Sequence, residues 1–178
     1  MIGLAEARYF MDFHHESVLL DEVIEVFAAS KPSLVVDCTL GGAGHSRALL
    51  EAIEGLHLIG IDRDPTAIEI ATERLAVFGE RVRIVQAPFS EVNSVLDELG
   101  VSGVDGILAD FGVSSHQIDT PDRGFSFRYD GPLDMRMNPT HGESAAELLQ
   151  RATMPELHRL FERYGELPGS KRLARTIV

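Results

Sequence analysis

The chain has 178 residues, 44% apolar and 25% charged. These are the values of a globular domain able to bury a core, and they exclude a disordered, collagen-like or coiled-coil chain. Its single cysteine, Cys38, excludes a disulfide framework and a multi-cysteine zinc site. No apolar run approaches the roughly 18 residues of a membrane span. With no signal peptide, the expectation is a cytoplasmic protein with no membrane partner. The balance is acidic, net −12, and unevenly spread: residues 1–122 carry 7 basic and 21 acidic side chains, residues 123–178 carry 9 and 7. Any polyanion contact should favour the C-terminal third.

In chain order, a helix is expected over about 16–29. The strand Leu34–Asp37 follows, and then a helix from His45 to Ile53. Next come the strand Leu56–Asp62 and a helix from Pro65 to Phe78, capped by Asp64. In that helix Ile68, Ala71, Leu75 and Phe78 share one face. The strand Val82–Val85, a helix from Ser90 to Leu99 and the strand Val104–Asp110 complete the alternation. Apolar runs without clean alternation suit a parallel sheet covered on both faces, so the expected fold class is a doubly wound, Rossmann-like α/β sheet. Residues 111–143 carry turn residues and no long period. Helices return at Ser144, with a capping-box pattern at Thr153 and Glu156, a stop at Gly165 and a last cap at Ser170. The expected division is 1–123, a cofactor-binding domain, and 124–178, the start of a small helical unit.

Four clusters carry the chemistry. Asp37–Ser46 (DCTLGGAGHS) is a strand end, a glycine turn and a helix start. Gly60–Pro65 (GIDRDP) places Asp62 at the end of the second strand, 20 residues beyond Gly42, where a carboxylate can accept both hydroxyls of an adenosine ribose. A dinucleotide site is one reading. However, Arg47 stands three places after Gly44, where that fingerprint wants a small residue. The cationic sulfonium of S-adenosylmethionine is the other, since Asp37, Asp62 and Asp110 would attract it. Asp110–Asp119 (DFGVSSHQID) supplies an acid at the end of the fourth strand. It is no kinase motif, because the strand lysine and H-R-D loop are absent. Arg123–Met137 (RGFSFRYDGPLDMRM) interleaves Arg123, Arg128 and Arg136 with Phe125, Phe127 and Tyr129. Such rings can stack bases and such arginines can pair with phosphates, or the rings can anchor the loop to the core. No metal site is expected, since the seven histidines lack ligand spacing; His14 and His15 read as residues preceding a helix, and Cys38 as a small core residue.

Taken together with HHESVLLDEV (His14–Val23) and PFS (Pro88–Ser90), these clusters resemble the S-adenosylmethionine-dependent methyltransferases of the MraW family, which modify the N4 amine of a cytosine in small-subunit ribosomal RNA. The resemblance runs from about His14 to the C-terminus. It implies a methyltransferase sheet with a small helical domain inserted after the fourth strand. It also implies cofactor contacts at Ala43, Gly44, His45, Asp62, Phe89, Asp110 and Gln117, with ribosomal RNA or the assembled small subunit as partner. For Asp110 two roles are open, catalysis at the amine or a hold on the methionine portion of the cofactor. The chain departs from the family pattern at Phe111, where Leu is usual, at His116, where Pro is usual, and over Tyr164–Gly169. Family members also continue well past this length, so the chain reads as an N-terminal portion with an unfinished sheet. An open sheet edge invites pairing with another chain, including a second copy as a homodimer, or a purely binding role.

Overall fold

The computed structural model describes residues 17–178; His14, His15 and the start of the first expected helix lie outside them. Four strands form one parallel sheet: β1 (Leu34–Asp37), β2 (His57–Asp62), β3 (Val82–Gln86) and β4 (Gly106–Leu108), in the order β3-β2-β1-β4. The order reverses direction between β1 and β4. Ligands of doubly wound sheets bind at the carboxyl ends of the strands flanking such a switch point.

The faces follow from the two-residue period of a strand. Val35 and Leu58 point to one side, where they pack with Leu49 and Leu50 of α2 (Gly44–Ala52) and Ala71 and Leu75 of α3 (Pro65–Leu75). Val23, Ile24 and Phe27 of α1 (Leu20–Ser30) close that core from outside. Val36, Ile59 and Ile61 point to the other side, against Val92, Val95 and Leu96 of α4 (Val92–Glu98). The crossovers β1-α2-β2 and β2-α3-β3 thus lie on one face. The return β3-α4-β4 lies on the other, which brings β4 beside β1. Cys38 is buried in the second core, as a small apolar residue would be.

Asp64 caps α3 by accepting from the Thr66 N–H at 3.1 Å, with Pro65 at the first helical position. That helix stops at Leu75 and is followed to Arg81 by tighter turns, which Gly79 interrupts with a non-helical φ of 55° and ψ of −128°. β4 is shorter than its apolar run. Asp105 is drawn away to accept from the N–H groups of Ser33 and Leu34, fastening the start of β1. The segment after β4 contains a helix that its lack of period did not announce, α5 (Ser115–Asp119). Five residues are too few for a periodic stripe; its mark is the capping box between Ser114 and Gln117.

The chain then forms α6 (Ala145–Arg151), α7 (Met154–Arg163) and α8 (Ser170–Ile177), with capping boxes at Ser144–Glu147 and Thr153–Glu156. They share a third small core of Ala152, Leu157 and Ala174. α8 is capped by the left-handed Gly169, not by Ser170, whose hydroxyl instead lies 3.0 Å from Nδ1 of His158 and joins α8 to α7. Among the described residues, no helix is long and apolar enough to cross a membrane.

Leu40 fills the space that Gly60 leaves open on β2. A Cβ at residue 60 would stand 2.7 Å from both Leu40 methyls. We expect Gly60→Ala to cost about 1–3 kcal/mol through overpacking. Urea denaturation of Gly60→Ala, Leu40→Ala and the double variant should give a double loss smaller than the sum of the singles. Additive losses would contradict this packing.

Candidate functional site

The carboxyl ends of β1, β2 and β4 carry one connected set of groups. At the end of β1, Asp37 is buried and accepts from Thr39 N–H at 3.0 Å and from the Ser46 hydroxyl at 2.6 Å. Burial pushes its carboxyl above the ordinary 3.8, against the lowering effect of those two hydrogen bonds. Thr39 in turn accepts from the Asp110 N–H at 2.7 Å, linking the ends of β1 and β4.

The chain turns from β1 into α2 through Gly41 and Ala43, both left-handed, at φ 49° and 61°. For alanine this costs energy, and Ala43 tolerates it as the fully buried N-cap of α2. Leu40 fastens the turn to β2 through its N–H to Ile61, and Arg74 of α3 donates to the Gly42 carbonyl at 2.8 Å. The first-turn N–H groups of α2 have no intrahelical acceptor and crown the switch point.

Asp62, at the end of β2, accepts from Gly41 N–H at 2.8 Å with one oxygen and from Asp64 N–H at 2.9 Å with the other. Two main-chain donors from opposite sides fix the plane of this carboxylate. Each oxygen keeps a lone pair for a further donor. Asp110 is exposed, and its carboxylate has no partner among the described residues.

Phe89 follows β3 and Phe111 follows β4, the two outermost strands, about 14 Å apart by strand spacing. Their rings nevertheless meet edge to face, with centroids 5.3 Å apart at 62°. The pair spans the strand ends while staying 48% and 70% exposed. No spacing in the sequence announces this contact between residues 22 positions apart.

Three of the expected site residues do something more structural. His45 is buried, with Nε2 2.9 Å from the Val18 carbonyl. A Cβ on Gly44 would strike the Ser17 hydroxyl at 2.2 Å, so the segment before α1 lies against the glycine turn. Gln117 spends both ends of its amide within the protein: its Oε1 accepts from Ser114 N–H and its Nε2 donates to Asp64 at 2.9 Å.

The arginines of 123–137 divide. Arg123 is 8% exposed; it donates to Asp64 at 2.8 Å and, through Nη2, to the carbonyls of Arg136 and Met137. Arg136 is held by Asp134 through several hydrogen bonds, which keep the Asp134 carboxyl below its ordinary value. In this fold Arg123 serves the packing of the loop, and its guanidinium does not face solvent. Arg128, Phe127 and Tyr129 form an exposed tip, with Phe127 fully open, and Phe125 is half-buried.

Arg123→Met would leave the Asp64 charge buried without its cation. We expect a loss of about 3–5 kcal/mol by urea denaturation; parent-like stability would contradict the role of this pair. Asp37 gives a pH signature. Its folded value lies above its unfolded value, so its contribution to stability is present at low pH and is lost as pH rises through the folded value. Asp37→Asn should therefore gain stability relative to the parent as pH rises above about 4. A difference that stays constant with pH would contradict the assignment.

This strand-end site sits in a chain with clear relatives. The model of the MraW methylase family matches residues 12–178. A ribosomal RNA small subunit methyltransferase H from Geotalea uraniireducens is 52% identical over 169 residues, covering 94% of this chain and 54% of the relative. The enzyme of that name from Geobacter sulfurreducens is 53% identical over 170 residues, with the same coverage. One from Heliobacterium modesticaldum is 46% identical over 170 residues. The chain therefore spans about half the length of the curated relatives it matches. Near-complete coverage by the family, on a doubly wound sheet with its glycine turn and acids at the switch point, establishes that the chain belongs to the MraW methylase family.

Proposed function

We propose that this chain carries the cofactor half of an enzyme that transfers a methyl group from S-adenosylmethionine to the N4 amine of a cytosine in small-subunit ribosomal RNA. The observation that carries the reading is the Asp62 carboxylate. Main-chain N–H groups on both sides hold it at the end of β2, and a free lone pair remains on each oxygen. That arrangement suits the two hydroxyls of a ribose.

The residues present fit the group. Asp62 would take the ribose, Phe89 would lie beside the adenine with Phe111 at its edge, and the first turn of α2, from Gly44 and His45, would face the methionine portion. No G-x-G-x-x-G cradle is present, which disfavours a dinucleotide and an oxidoreductase. When bound, S-adenosylmethionine supplies an electrophilic methyl on a cationic sulfur. The protein's part is orientation. A cytosine amine is a weak nucleophile because its lone pair is delocalised into the ring. Asp110 stands just after β4 with an unengaged carboxylate; it would accept an amine hydrogen and take the proton as the N–C bond forms and the methyl–sulfur bond breaks, with S-adenosylhomocysteine leaving as the neutral thioether. Holding amine and methyl in line supplies much of the rate.

Calorimetry with S-adenosylhomocysteine tests the ribose assignment. Asp62→Ala should weaken binding about tenfold or more, since a hydrogen bond to a charged group contributes roughly 1.5–3 kcal/mol. Equal affinity would sink it. A companion melting experiment should show stabilisation by S-adenosylhomocysteine and none by NAD. The opposite pattern would favour an oxidoreductase.

A further inference from the structure

We propose that α8 is the surface through which this chain grips the phosphate backbone of its RNA. The proposal rests on the reading of RNA as substrate and names where that RNA is held.

The sequence suggested Arg123, Arg128 and Arg136 for this task. The fold commits Arg123 to Asp64 and Arg136 to Asp134. Elsewhere Arg47 pairs with Glu51 and Arg151 with Glu143. Other exposed cations, Lys31, Arg63, Arg83 and Arg128 among them, stand singly, whereas three stand together on α8. Its eight residues, SKRLARTI, hold Lys171, Arg172 and Arg175 and no acid, in a chain of net charge −12. All three are exposed, and none has a side-chain hydrogen bond or ion pair among the described residues.

Their spacing makes one strip. Lys171 and Arg175 are four residues apart and Arg172 and Arg175 three, so the three side chains lie within about 100° of the helix circumference, neighbours at roughly 5–6 Å. Ser170 and Ala174, 5% and 0% exposed, point the other way into α7, which fixes the cationic side toward solvent. Tyr164, 74% exposed under the Arg163 guanidinium, opens the link from α7 to α8 and adds a ring near this end of the helical unit.

A strip of unpaired cations on an otherwise acidic surface selects a polyanion. Successive phosphates on a nucleic-acid strand present charge at a comparable spacing, and guanidinium groups pair with them bidentately. The sheet half, where acids outnumber bases threefold, would repel the same phosphates. RNA is thus anchored on the helices and reaches the acidic cofactor edge only with the base that reacts.

The test is fluorescence anisotropy with a short labelled single-stranded RNA over about 50–200 mM salt. It compares the parent chain, the variant Lys171→Gln/Arg172→Gln/Arg175→Gln, and the control Lys31→Gln/Arg83→Gln, which removes charge elsewhere. Each phosphate contact contributes about 0.7–0.9 to the slope of log affinity against log salt, so the triple variant should lose about 2–3 of that slope. The control should keep the parent slope. A triple variant with the parent slope overturns the proposal, as does a parent with no salt-dependent RNA binding. Competition by polyglutamate as effective as competition by unlabelled RNA would assign the strip to acidic polypeptides and overturn it too. Binding of S-adenosylhomocysteine, measured on the same samples, separates the two readings. Its absence in the parent counts against the methyltransferase assignment, whereas its persistence in the triple variant shows that the fold survived.

Discussion

One buried carboxylate, Asp64, ties the carboxyl end of β2 to residues 117–137, which follow β4. Its Oδ1 accepts the Thr66 N–H and starts α3, while its Oδ2 accepts both Gln117 of α5 and Arg123. Its own N–H orients Asp62. Arg123 then reaches the carbonyls of Arg136 and Met137, pinning both ends of a loop that has almost no regular structure. A charge at 2% exposure is tolerated only with several donors and a cation close by. If one of these partners is lost, the desolvation cost of the remaining charges falls on the fold. A substitution in the loop can therefore disturb the Asp62 carboxylate at the end of β2 without touching it.

The same residues show how the protein sorts its charges. The strand ends gather Asp37, Asp62, Asp64 and Asp110, but only Asp110 presents an unengaged carboxylate. Asp37 and Asp64 are turned inward, toward Ser46 and Arg123. Negative potential at the site is thus available to a cationic sulfonium while being set by few exposed charges. Cations divide differently: Arg123 and Arg136 are held in ion pairs, whereas Lys171, Arg172 and Arg175 on α8 are left open. Separation of the two signs along the chain becomes separation in space, because the helical unit has a core of its own.

Strands and major helices were legible because each buries a stripe large enough to impose a period. Val35, Leu58 and Ile59 sit where an apolar run in a two-sided sheet must place them. The acid at the end of β2 was legible from its distance to the glycine turn. What stayed hidden depends on pairing across long stretches of chain. Nothing local distinguishes Arg123, bonded to Asp64 across 59 residues, from Arg128, which is free. The family resemblance implies a cofactor contact at Gln117, and nothing local announces that its amide also bonds Asp64 across 53 residues. The Phe89–Phe111 contact joins loops from opposite edges of the sheet, and no spacing rule reports such a meeting. Ser170 resembled a cap by residue type, yet the backbone preferred the left-handed Gly169 and left the serine hydroxyl to His158.

Through Asp64, the glycine turn and the loops after β4 form a single unit. Hydrogen exchange of backbone amides, with and without saturating S-adenosylhomocysteine, tests it most directly. In the parent, amides of 39–47 and of 114–137 should slow together on binding, although only the first segment adjoins the Asp62 carboxylate. In Asp64→Asn the second segment should no longer follow the first. Protection confined to 39–47 in the parent, or coupled protection that survives in Asp64→Asn, would contradict the account.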